Sequence, residues 1–383
     1  MTLQRPTDIL HYPPTLDDRP ISTRGSVSCP WRRGPMNAVD EGSAVPADLA
    51  PPRLVCPGRR LCRLRCRPRR LLGHRAYGLL MKVLIVGAGA LGSLVGALLD
   101  PAHDVRLLGR GEHIRTIASE GLRVEGLTRS HIHPPVAEIP EAITSPPDLM
   151  VFTVKAYDTK AAARATIDLC GHNTLVLTLQ NGLGNVEILQ ETFGREHVLA
   201  GVTSMGAHRT APGRIVHAGA GRTIIGRPVG APDGAVKRLA RILNGSFPVE
   251  IGGDMRGEIH LKALANAAIN PLTAIHRVRN GEILRHPDLM RRMDAVIEES
   301  LAVYSAAGIG FPVPDPRSFV YGVVRGTAEN RSSMLQDVER GHRTEIDQIN
   351  GAIAVMGRKH GIPTPENDSL VEAIHLIENS VVQ

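Results

Sequence analysis

Two regimes of apolar spacing divide this chain. Between Met81 and about residue 252, short apolar runs recur, bounded by Gly, Pro, Asp or Asn: Val83 to Val86, Asp104 to Leu108, Leu149 to Val154, Leu175 to Leu179, Val198 to Ala207, His208 to His217, Thr223 to Gly226 and Val249 to Ile251. Runs of this length read as strands, most of them buried. Helical spacing separates several of them, at Leu91 to Leu99, Glu112 to Glu120, Asp158 to Asp168 and Ala235 to Leu243. Strands alternating with helices predict a parallel sheet covered on both faces. Beyond Gly252-Gly253 the period is almost wholly helical: Glu258 to Ile275, Leu289 to Ala307, Arg317 to Gly326, Ser333 to Val338, Thr344 to His360 and Glu366 to Asn379. The expected fold class is therefore α/β: an N-terminal Rossmann-type dinucleotide-binding domain over 81–252 and an all-helical C-terminal domain over 253–383, with a cleft between them.

The first strand runs into Gly87-Ala88-Gly89-Ala90-Leu91-Gly92, a G-x-G-x-x-G spacing set between strand and helix. Gly87 permits a tight turn, Gly89 leaves room for a pyrophosphate to reach backbone N–H groups, and Gly92 lets helix and strand approach. The helix N-terminus then offers unpaired N–H groups and a positive dipole end to phosphates. A tight turn without a ligand is the alternative. After the second strand, Leu108-Gly109-Arg110 presents a guanidinium where NAD-binding folds place a carboxylate. This favours the 2′-phosphate of NADP over NAD, a solvent-facing Arg being the alternative. Lys155 and Asn181 are each the first polar group past the carboxyl end of a strand, where ligands bind in open α/β sheets; Asn181 before Gly182 also suits a plain turn.

Composition changes one conclusion. The first 80 residues hold 14 Arg, no Lys and 6 acidic residues, a net charge of +8 against +7 for the whole chain. Residues 81–383 are thus close to neutral, with 31 basic against 32 acidic side chains. The basic balance belongs to the extension and gives no ground for a nucleic-acid partner. The extension also holds four of the five Cys and 11 of the 28 Pro, with little apolar periodicity. Residues 1–75 are expected to be disordered, and Met81 is the expected natural start. A targeting peptide is disfavoured by Asp8, Asp17 and Asp18. A zinc site at Cys62 and Cys66 lacks a second pair of ligands. With Cys170 alone in the remainder, no disulfide framework is expected and a cytoplasmic location fits. No apolar run reaches the roughly 20 residues that a membrane helix needs.

Two polar groupings carry chemistry. Lys262, Asn266 and Asn270 recur every fourth residue among Ala263, Ala265, Ala267, Ala268 and Ile269, so they share one face of an otherwise apolar helix. Such groups need partners when buried; a polar ligand or an interhelical ladder would supply them. The second grouping is Asn330-Arg-Ser-Ser333-Met-Leu-Gln-Asp337 with Arg343-Thr-Glu345-Ile-Asp347. Asn330 and Ser333 sit at the start of a short helix, where Ser333 could also be a simple N-cap. Glu345 is expected to open the next helix.

Gly87-x-Gly89-x-x-Gly92, Gln180-Asn181-Gly182, Lys262-x-x-x-Asn266-x-x-x-Asn270-Pro-Leu-Thr-Ala274, Ser332-Ser333-Met-x-Gln336-Asp337 and Thr344-Glu345-Ile-Asp347 occur in this order. Together they resemble the ketopantoate reductase (2-dehydropantoate 2-reductase) family over nearly all of residues 81–383. The resemblance implies a C-terminal domain like that of 6-phosphogluconate dehydrogenase. It also implies NADPH-dependent reduction of 2-dehydropantoate to (R)-pantoate in pantothenate and coenzyme A biosynthesis. Lys262 matches the general acid and Glu345 its acidic partner, which also borders the cofactor. Asn181, Asn266, Asn270, Asn330 and Ser333 match substrate-contacting positions, and Asn181 a cofactor contact as well. Gly87, Ala88, Gly89, Ala90, Leu91, Gly92, Arg110 and Lys155 match cofactor-binding ones. No metal is implied. The partner is a small 2-keto acid, with no nucleic acid and no membrane; a homodimer is compatible. One departure is His260, two residues before the lysine, where the family often has an aromatic. The nearer alternative is a relative acting on another 2-keto or 3-hydroxy acid. The distant one is a non-catalytic dinucleotide sensor, which has no use for Lys262 opposite Glu345.

Overall fold

The structure is a computed structural model that describes residues 80–381. The expectations for the Arg-rich extension lie outside the described residues.

The nucleotide-binding half runs β1 (Lys82–Val86), α1 (Ala90–Leu99), β2 (Asp104–Leu108), α2 (Glu112–Glu120), β3 (Leu122–Gly126), β4 (Ser130–Ile132), β5 (Val136–Ala137), β6 (Leu149–Phe152), α3 (Thr159–Thr166), β7 (Leu175–Thr178), α4 (Asn185–Phe193), β8 (Val198–Thr203), β9 (Gly206–Ala211), β10 (Arg214–Gly219), β11 (Thr223–Gly226), α5 (Gly234–Leu243) and β12 (Glu250–Ile251). The helical half follows as α6 (Met255–His276), α7 (Pro287–Ala306), α8 (Pro316–Gly326), α9 (Ser333–Glu339), α10 (Asn350–His360) and α11 (Pro365–Val381). The α/β class and the helical second half are those expected from the sequence.

The main sheet has the order β12-β11-β8-β7-β6-β1-β2-β5, parallel except where β11 meets β8. Strands β6, β7 and β11 are buried at every position, because helices cover both faces. The chain leaves β1 towards β2 on one side and returns through β6 on the other, so the order reverses between β1 and β6. Crevices form at such reversals beyond the strand ends.

Three local expectations change. The run Val198 to Ala207 breaks at Ser204-Met205, because the sheet position beside β8 is taken by antiparallel β11. Strands β9 and β10 instead join β3 and β4 in a separate sheet of order β4-β3-β10-β9. Helix α4 lies behind Gly182 and Gly184, whose turn signal obscured it. The expected helix from Thr344 starts only at Asn350. Its first residues are diverted into tertiary bonds: Thr344 N–H donates to Glu378 (2.7 Å), and the Gln348 carbonyl accepts from Leu183 N–H (2.8 Å).

Helix α6 is the wall between the halves. Asp254 caps it by accepting from the N–H groups of Arg256 and Gly257. Asp254→Ala is expected to lower stability by about 1 kcal/mol in urea unfolding; an unchanged midpoint would show that tertiary packing alone holds the helix start.

Candidate active site

A cavity of about 1400 Å³ lies between the sheet's carboxyl edge and the helical half. Gly87 to Leu91, Arg110, Lys155, Asn181, Lys262, Asn330, Ser333 and Glu345 all line it.

The glycine turn shows why each residue is needed. Gly87 has φ +101°, and a Cβ there would lie 2.5 Å from the Val154 nitrogen. A Cβ on Gly92 would fall 2.3 Å from the Gly87 carbonyl and 2.4 Å from Thr153 Oγ1, so α1 could not sit on the strands. Gly92 itself is buried and off the cavity wall. Gly89 differs: nothing lies within 4 Å of its missing Cβ, which would project into open space. Gly89 is also the N-cap of α1 and offers no side chain to the first-turn N–H groups. An uncapped helix start beside an open cradle suits a phosphate. Arg110 stands exposed at the end of β2, on the cavity wall, with no ion pair among the described residues. These features and the cavity's size fit a dinucleotide.

On the opposite wall, Lys262 is half-buried and its Nζ donates to the Thr203 carbonyl at 2.7 Å. Burial lowers its pKa to about 8, with the Glu345 carboxylate pulling the other way. An ammonium has three donors, so the Thr203 bond leaves capacity for a ligand. Glu345 is buried, and two groups from beyond β6 hold it: the Ala156 N–H donates to Oε1 (2.9 Å), and Lys155 Nζ lies 3.7 Å from Oε2. It thus follows an irregular segment and does not open α10; that segment's tertiary bonds turn its carboxylate towards the cavity.

Lys155 Nζ also donates to Asp337 of α9 at 2.5 Å. Burial would lower its pKa, but Glu345 and Asp337 outweigh it and the net shift is upward. The amine is therefore engaged by two carboxylates of the helical half as well as facing the cavity. Ser332, not Ser333, caps α9: its Oγ accepts from Leu335 N–H (3.1 Å) and from Thr273 Oγ1 (2.7 Å). Ser333 is left exposed on the wall, next to exposed Asn330. Asn266 is half-buried and Asn270 buried on α6; neither lines the cavity in this conformation. His260 is buried, donates from Nδ1 to the Arg256 carbonyl (2.7 Å) and meets Tyr304 edge-on, so it fills an aromatic's place.

Asp337 and Thr203 escaped sequence reasoning as site groups. Asp337 lay within a quoted motif, but nothing local links it to Lys155, 182 residues away. Thr203 contributes only a carbonyl, which no side-chain pattern reveals.

Two family models match the chain, "Ketopantoate reductase PanE/ApbA" over residues 83–230 and "Ketopantoate reductase PanE/ApbA C terminal" over residues 254–378. A 2-dehydropantoate 2-reductase of Archaeoglobus fulgidus is 42% identical over 305 residues, covering 78% of this chain and 99% of that protein. One from Halobacterium salinarum is 38% identical over 307 residues, covering 78% and 99%. Among solved structures, a PanE/ApbA family ketopantoate reductase from Ralstonia eutropha superposes with TM-score 0.73 at 33% identity, over 79% of this chain and all of that one. A D-mandelate dehydrogenase in ternary complex with NADH and anilino(oxo)acetate gives TM-score 0.75 at 27% identity, over 79% and 100%.

Proposed function

This chain belongs to the ketopantoate reductase family, and from that premise we propose that it reduces 2-dehydropantoate to (R)-pantoate with NADPH, in pantothenate biosynthesis. The observation that carries the reading is the meeting of Lys262 and Glu345 with the glycine turn around one cavity.

The uncapped start of α1, with Gly89, receives the pyrophosphate, and Arg110 receives the 2′-phosphate through its planar donor fork. A reduced nicotinamide supplies the hydride. Lys262 stabilises the negative charge that develops on the keto oxygen and donates its proton there. The Thr203 carbonyl fixes the direction of the amine. Glu345, itself held by Ala156 and Lys155, accepts from the substrate hydroxyl and keeps Lys262 charged. Ser333 and Asn330 hold the substrate carboxylate, and Asn181 completes the polar lining of the cavity.

The test is NADPH and NADH oxidation with 2-dehydropantoate, side by side. Faster turnover with NADPH is expected; turnover with NADH alone would remove the role of Arg110. A second reading, reduction of another 2-keto acid, is favoured by the likeness to the mandelate enzyme. A panel of 2-keto acids decides between them, the greater kcat/KM marking the substrate.

The reaction needs Lys262 as an ammonium. Its pKa of about 8 in the free protein therefore predicts kcat/KM level below that value and falling about tenfold per pH unit above it. A profile flat up to the ordinary lysine range would remove Lys262 as proton donor.

Glu345→Gln keeps the shape but removes the charge facing both lysines. The amine of Lys262 should then lose its proton more easily, and the break in the pH profile should move to lower pH. An unmoved break would place Glu345 outside the electrostatics of Lys262.

A further inference from the structure

Behind the glycine turn lies a buried histidine that the reaction does not use. His113, in α2, is 3% exposed, yet it borders the cavity. Its Nδ1 accepts from the Gly213 N–H at 2.9 Å, in the turn between β9 and β10. Accepting there requires Nδ1 to be bare, so the neutral ring carries its proton on Nε2. Nε2 lies 3.0 Å from Ser93 Oγ and donates to it. Ser93 Oγ in turn donates to the Ala88 carbonyl at 3.3 Å. A directed chain of bonds thus runs from the second sheet, through α2 and α1, into the dinucleotide loop itself.

Packing follows the same route. Gly109 leaves room for Ile114 of α2, a Cβ there falling 2.8 Å from the Ile114 side chain and 3.2 Å from Ala88. The N–H groups of Gly87 and Ala88 both donate to the Leu108 carbonyl, at 2.9 and 3.1 Å. The turn is therefore held from the β2 side by backbone bonds and from the α2 side by His113 and Ser93.

We propose that His113 is a positioning residue for the dinucleotide: through Ser93 it fixes the Ala88 peptide, and with it the open start of α1, in the geometry that receives the pyrophosphate. The inference rests on the cavity being the dinucleotide site but not on the identity of the keto acid. Burial, and the positive charge of Arg209 on β9, keep the ring neutral at working pH with a pKa of about 4. In the neutral ring the Gly213 N–H bond to Nδ1 fixes the Nε2–H tautomer. A preorganised loop lowers the cost of ordering on binding. Its loss should weaken ground-state and transition-state binding of the nucleotide alike, leaving the chemical step alone.

The experiment is calorimetric titration of NADPH into the full chain and two variants, His113→Phe and Ser93→Ala, together with steady-state kinetics. Both variants should raise Kd and KM for NADPH by about tenfold, the weight of one or two hydrogen bonds. The change in kcat at saturating nucleotide should stay within about twofold. The double variant should be no worse than the worse single one, since both break one chain. His113→Gln, whose amide can donate to Ser93, should recover part of the affinity. If His113→Phe proves unfolded by circular dichroism, Ser93→Ala carries the test alone. Wild-type affinity in Ser93→Ala, or a loss that falls on kcat, would overturn the proposal. Nucleotide binding without turnover of 2-dehydropantoate would sink the substrate assignment and leave this inference standing.

Discussion

Replacing Lys262 by alanine is expected to lower kcat by about 10²–10⁴-fold, the usual weight of a positioned general acid. The size of the effect follows from its surroundings. The amine sits on the cavity wall with the Thr203 carbonyl as its hydrogen-bond acceptor at 2.7 Å. Its pKa of about 8 lies near working pH, where a group both holds its proton and releases it readily. Alanine removes the charge from a site where burial strengthens charge–charge attraction. NADPH affinity should change little, because the glycine turn and Arg110 lie on the other half. Stopped-flow single-turnover rates with NADPH prebound separate these terms. A mutant with near-normal turnover would move the proton donor to another residue.

The second large effect is expected at Gly89. Gly89→Val should abolish useful dinucleotide binding while leaving the fold intact. The backbone there has φ −77°, a value that any L-residue adopts, and its missing Cβ meets no protein atom within 4 Å. The valine would stand in the open cradle and block the approach of a phosphate to the first N–H groups of α1. Losing charge-assisted bonds worth on the order of 3 kcal/mol weakens binding by about a hundredfold. The thermal midpoint should stay within a degree or so, as is usual for an unconstrained position. Gly92→Ala makes the contrast. Its Cβ would overlap the Gly87 carbonyl and Thr153 Oγ1, so stability itself should fall, by roughly 1–3 kcal/mol. If Gly89→Val bound NADPH as the wild type does, the pyrophosphate would have to lie elsewhere.

Much of this protein was legible before any coordinates. The glycine turn, the parallel strands and the long α6 are local patterns: a turn needs particular residues in a row, and a buried face repeats at the period of its own element. Lys262, Asn266 and Asn270 could be placed on one face because four residues is close to one helical turn. The same logic failed at Thr344 to Ile349, where helical propensity yields to bonds with Glu378 and Leu183. It also misplaced the bounds of β9 and β10, a hairpin of which β10 pairs with β3 across a long stretch of chain.

The sequence alone determined which groups this chain possesses and along which helices and strands they lie. Only the tertiary structure decided their chemistry. The acidity of Lys262 comes from burial, which outweighs the opposing pull of Glu345, 83 positions away in the sequence. Glu345 is held by Lys155 and Ala156 from the other half. His113 became a neutral link between Ser93 and Gly213 because three separate elements enclose it. Electrostatic strength depends on distance and on the exclusion of water. Neither is set by spacing along the chain; both arise when distant segments pack together.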